Sequence, residues 1–119
     1  MQDRKKKYLE LWGDGKTKRE LIYVDDLAEA IVYFLDKKLS KNLINIGSGI
    51  EKTIGQYAKL VCEIIGVRLK IKYENKLLTG TPRKLLDSSY ARKNGWKPKT
   101  NLKKDILKTY NYFLKEIKK

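Results

Sequence analysis

With 119 residues, 28 lysines and arginines against 14 acids and a formal charge of +14, the chain has the length of one domain, 1–119, and is strongly basic. A single cysteine and no histidine exclude, within this chain, disulfides, zinc sites built from Cys and His, and any catalytic step that needs an imidazole. No apolar run has bilayer-spanning length and the start MQDRKKKYL lacks a signal-peptide core, so the sequence reads as soluble and cytoplasmic, with no membrane partner.

In chain order, YLELW (8–12) alternates as a short strand and stops at the turn Gly13-Asp14-Gly15. ELIYV (20–24) reads as a second strand. Asp25 or Asp26 then caps a helix over about 26–37, with Leu27, Ala30, Ile31, Phe34 and Leu35 at helical spacing. NLINI (42–46) is a short apolar strand ending in Gly47-Ser48-Gly49. Thr53 caps the next helix, whose face is Ile54, Tyr57, Ala58, Val61, Ile64 and Ile65, and Gly66 ends it. LKIKY (69–73) alternates as a strand with one wet face. Residues 74–86 form a loop, Asp87 or Ser88 caps a short helix ending near Asn94-Gly95, and Trp96-Lys97-Pro98 is extended. Thr100 caps a final helix over about 101–117, with Leu102, Ile106, Tyr110, Phe113 and Ile117 as its buried stripe. The alternation defines an α/β chain of few short strands and three to four helices.

Two clusters carry binding chemistry. The only arginines are Arg4, Arg19, Arg68, Arg83 and Arg92, and Arg19 follows a glycine turn. Its planar fork of donors suits a phosphate, and Trp12 across the turn can supply a flat apolar wall beside it. A hairpin turn with a half-buried tryptophan and a solvated arginine accounts for the same residues. The second cluster is Thr79-Gly80-Thr81-Pro82 followed by Arg83-Lys84, two cations on a constrained backbone, which reads either as an anion site or as a basic surface loop.

The lysines are otherwise scattered, which favours a solvated surface over nucleic-acid binding. Neither Gly13-x-Gly15 nor Gly47-x-Gly49 continues into a dinucleotide-binding turn, so no cofactor cradle is encoded. The Y-x-x-x-K string from Tyr33 to Lys37 sits on an amphipathic helix and reads as a chance match, and Cys62 on an apolar helix face reads as an inert thiol. By its own contents the chain is a binding module with no catalytic residues.

WGDGKTKRELIYVDDLAEA, INIGSG and GWKPKTNL, in that order and spacing, resemble the C-terminal part of extended short-chain dehydrogenases/reductases acting on nucleotide sugars. GTPRKLLD (80–87), with Trp12 and Thr109-Tyr110, resembles the branch that acts on GDP-sugars. The resemblance implies the small substrate-binding domain of such an enzyme with the N-terminal Rossmann half missing. Its intact form would use NADPH to epimerise GDP-4-dehydro-6-deoxy-D-mannose at C3 and C5 and reduce it at C4.

The resemblance further implies substrate-binding roles for Trp12, Arg19, Arg83 and Lys84. Thr79 stands where that branch usually has an aspartate, and Asp105 and Tyr112 where it has glycine and tryptophan. The cofactor turn and the catalytic residues would lie upstream, so this chain alone would be monomeric and inactive, and the intact enzyme a homodimer. Three alternatives stay open: the same domain from another nucleotide-sugar epimerase or dehydratase, such as one acting on a UDP-sugar; a basic nucleic-acid-binding module; and a folded remnant that binds nothing.

Overall fold

A computed structural model describes residues 7–76, 80–99 and 101–119. The elements in order are β1 (Tyr8–Trp12), β2 (Lys18–Glu20), α1 (Val24–Leu35), β3 (Glu51–Thr53), α2 (Ile54–Ile65), β4 (Lys70–Glu74), β5 (Arg83–Lys84), α3 (Ser89–Lys93) and α4 (Leu102–Ile117). The strands form two small sheets. In one, β1 and β4 run parallel with Tyr8 opposite Lys70 and Trp12 opposite Glu74. In the other, β2 lies between β3, antiparallel, and β5, parallel.

The junction between the sheets is the turn after β1. Gly13 and Gly15 have φ of 86° and 73°, the left-handed region that glycine enters without strain. Gly15 is also the only residue type that fits against the Tyr73 ring, which a Cβ there would strike. Its carbonyl accepts from Gly55 N at 3.0 Å, and the Thr17 carbonyl accepts from Ile54 N at 2.9 Å. The first turn of α2 thereby satisfies its own orphan donors and pins the chain where β2 begins. A capping box completes that helix start: Thr53 Oγ1 accepts from Gln56 N, and Gln56 Oε1 from Thr53 N. Gly66, at φ 76°, closes the other end.

The core is Ala30, Ala91 and Trp96, with Ile22, Tyr33, Phe34, Ile44 and Ile46 packed on it. It is small. Val24, Ile31, Val32 and Leu35 on the outer side of α1 are 59–71 % exposed, and Leu43 is 79 % exposed. The radius of gyration is 17.2 Å, against about 13.5 Å for a compact chain of this length.

Several expectations from sequence shift here. The second strand lies at Lys18–Glu20, not 20–24, because only that stretch has strands on both sides to bond with, and Leu21–Tyr23 leads irregularly into α1. Residues 42–46 form no strand: Ile44 and Ile46 face the core as alternation requires, but no described strand lies alongside. Arg83–Lys84, read as loop, and Glu51–Thr53, for which only the Thr53 cap was expected, are strands of the second sheet. Asn101 rather than Thr100 is the N-cap of α4, its side chain accepting from Lys104 N, and Thr100 lies outside the described residues. Of the α4 stripe, Phe113 and Ile117 are about half exposed, so its C-terminal half is uncovered.

Candidate functional site

The two basic clusters meet. Parallel pairing of β5 with β2 sets Lys18 opposite Arg83 and Arg19 opposite Lys84, and Lys18 N donates to Pro82 O at 2.9 Å. Arg19 Nη1 donates to the carbonyls of Lys18 and Thr81, both at 2.7 Å. Gly80 lets the loop pass close by, with φ 72° and Arg19 Nη2 at 3.4 Å from where its Cβ would stand. From the other side, buried Tyr57 donates its hydroxyl to Arg19 O at 2.9 Å, and burial raises the pKa of that phenol. The guanidinium therefore has a fixed position, which a flexible surface arginine lacks.

The consecutive cations Arg83 and Lys84 do different things. Successive side chains on a strand point to opposite faces, while residues opposite one another across strands share a face. Arg83 thus lies on the face of Lys18, Glu20 and Glu51, and forms a two-point ion pair with Glu51: Nε to Oε2 at 2.9 Å and Nη2 to Oε1 at 2.8 Å. The hydrogen bond from Arg83 holds the Glu51 carboxyl below its ordinary 4.5, and the same bond raises Arg83. Lys84 lies on the Arg19 face and forms no ion pair among the described residues. The pair expected to act together is split by the pleat.

Trp12 ends β1 in the other sheet and is 70 % exposed, which removes the half-buried packing alternative. No described ring contact or hydrogen bond joins it to Arg19 or Lys84. Thr79 lies outside the described residues. Glu51 was not legible as a partner, since Glu51-Lys52 before the Thr53 cap carries no strand signal; its only trace is the charge pattern K-R-E facing E-K-T.

Neither glycine pair fits a dinucleotide. Gly13-x-Gly15 opens into β2 and Gly47-x-Gly49 into β3, not into a helix N-terminus, and the Gly49 N–H that a phosphate would need donates to Glu20 Oε2 at 2.6 Å. Tyr33 donates its hydroxyl to Asn94 O at 3.0 Å and carries Lys37 Nζ 4.2 Å over its ring, a structural use of both groups. Among the described residues no cluster of three or more metal-binding side chains occurs, and no helix is long and apolar enough to cross a membrane.

The fold and these motifs are similar to one portion of a known class of protein. Residues 1–47 match the model of the NAD dependent epimerase/dehydratase family, and the chain is related by sequence and fold to such short-chain dehydrogenase/reductase-type proteins. Among named relatives, it is 43% identical over 107 residues to GDP-L-fucose synthase 1 of Arabidopsis thaliana, covering 90% of this chain and 33% of that protein. The solved GDP-6-OMe-4-keto-L-xylo-heptose reductase from C. jejuni superposes with a TM-score of 0.82 at 33% identity, over 92% of this chain and 34% of the other. UDP-glucose 4-epimerase from Thermotoga maritima gives the same TM-score at 31% identity, over 92% of this chain and 36% of the other. The chain spans about a third of the length of the curated relatives it matches.

Proposed function

We propose that residues 1–119 are the GDP-sugar-facing domain of an enzyme of the GDP-L-fucose synthase type, whose remaining part holds NADPH and the catalytic residues. The observation that carries this reading is the β2–β5 pairing, which sets Arg19 beside Lys84 with no carboxylate bonded to either among the described residues. A nucleotide-sugar diphosphate brings about two negative charges, and a pinned guanidinium with a neighbouring ammonium answers them. Arg83, held by Glu51, acts indirectly by keeping β5 in place. Trp12 offers an exposed indole to the base or the sugar, and Thr79 takes the position where the resemblance puts a substrate-contacting aspartate. In the intact enzyme this wall positions the sugar, and positioning supplies the catalytic contribution of the domain. Support for a larger enzyme comes from the uncovered apolar side of α1 and from the strand-like segment 42–46, beside which no described strand runs, both of which suit packing against a further sheet.

Binding by this wall alone is weak, about millimolar, because half the contacts are missing. Ligand-observed NMR titration with GDP, UDP and CDP tests the reading. GDP is expected to bind best, and Arg19→Ala to weaken it about tenfold or more, the worth of a charged hydrogen bond. A preference for UDP moves the domain to a UDP-sugar enzyme such as an epimerase. Steeply salt-dependent RNA or DNA binding with no response to GDP would identify a nucleic-acid module instead.

A further inference from the structure

The same pleat that separates Arg83 from Lys84 assembles a different set of cations. Antiparallel pairing of β2 with β3 places Lys52 directly opposite Arg19, and parallel pairing of β2 with β5 places Lys84 on the other side of Arg19. Residues opposite one another share a face, so Lys52, Arg19 and Lys84 form one row across all three strands, with neighbouring Cα atoms about 5 Å apart. Every acid of these strands is elsewhere. Glu51 lies on the opposite face and is taken up by Arg83; Glu20 lies on that face too and accepts from Gly49 N. No ion pair reaches any of the three cations among the described residues. Lys52 and Arg19 are half-buried, so water screens them less than it screens the scattered surface lysines.

Three like charges side by side destabilise a sheet, and an anion broad enough to touch all of them removes that repulsion. We infer that Lys52 is the third cation of this anion site, and that the row Lys52–Arg19–Lys84 selects a diphosphate over a monophosphate. A single phosphate can engage the central guanidinium and one ammonium; two linked phosphates spread along the row and engage both flanks. Lys52 acts here as a specificity-determining residue for the ligand's phosphate count, and this deepens the GDP-sugar reading, on which the nucleotide identity of the ligand rests.

The test compares Lys52→Met, which keeps the aliphatic stem, and Lys52→Arg, which keeps the charge. Inorganic pyrophosphate, inorganic phosphate, GDP and UDP are titrated by NMR, with thermal melts to establish that each variant is folded. Lys52→Met is expected to weaken pyrophosphate and GDP about three- to tenfold while leaving phosphate nearly unchanged, and Lys52→Arg to restore the preference for pyrophosphate. If Lys52→Met leaves the pyrophosphate-to-phosphate ratio unchanged while Arg19→Ala still weakens GDP, the third-cation assignment is overturned and the GDP-sugar reading stands. If Lys52→Met lowers that ratio but GDP binds no better than UDP or pyrophosphate, the row is upheld and the GDP-sugar reading falls.

Discussion

Replacement of Trp96 probes whether the small core between α1 and α3 holds the molecule together. The side chain is 3 % exposed, packs with Ala30 and Ala91, and leaves its Nε1 without a hydrogen-bond partner among the described residues. Truncation to alanine removes its burial and opens a cavity, a combination that costs about 3–5 kcal/mol. A chain of this length has about 6–18 kcal/mol in total at the usual stability per residue, and the exposed apolar surface of α1 puts this one at the low end. Trp96→Ala should therefore remove half of the stability or more. Trp96→Phe should cost far less, about 0–2 kcal/mol, because the loss of ring area is offset by removal of a buried N–H whose burial costs about 1–3 kcal/mol.

Urea unfolding followed by far-UV circular dichroism measures both variants without relying on indole fluorescence. Emission supplies an internal control: Trp96→Phe leaves only Trp12, at 70 % exposure, so the folded-state spectrum should shift to the red. Equal destabilisation by the two variants, or a loss below about 1 kcal/mol for Trp96→Ala, would refute the argument that this indole anchors the fold.

Glu51 provides a pH test. Its carboxyl is held below 4.5 chiefly by the hydrogen bond from Arg83, so its contribution is present above 4.5 and is lost as pH falls through the lowered value. Carboxyl-carbon NMR should find Glu51 titrating below 4.5, and Arg83→Met should return it toward 4.5; an unmoved titration would break the link between β5 and β3. On α1, Val32 and Leu35 are 69 % and 71 % exposed, so Val32→Glu with Leu35→Glu should change the stability of this chain by no more than about 0.5 kcal/mol per site in urea melts. The same double change in the larger enzyme proposed above should destabilise it severely, and an equally mild effect there would show that this side of α1 stays in water.

Where interactions are local, the sequence was informative. Thr53, Gln56 and Gly66 lie within or next to α2, and the helix runs between the cap and the glycine predicted for it. The start of α4 also followed local chemistry, although Asn101 outcompeted Thr100 for the capping position. Strands were harder because their existence depends on distant partners. NLINI has the right residues but no described strand to pair with, whereas EKT and RK carry no strand signal and become strands because Lys18–Glu20 lies between them. The substrate-binding roles that the resemblance implies for Arg19, Arg83 and Lys84 require the two clusters to lie close, but nothing local indicates register, and register decides that Arg83 turns to Glu51 while Lys84 joins Arg19.

Strand β5 is two residues long and is fastened to β2 at the end of a long excursion of the chain. Closing so large a loop costs entropy that two ladder positions barely recover, so this edge should open and close well below the threshold for global unfolding. An anion spanning Arg19 and Lys84 fastens the same edge from outside. Mass action then makes ligand occupancy and edge closure one equilibrium, with amide hydrogen exchange at Arg83 and Lys84 slowing as the ligand is added.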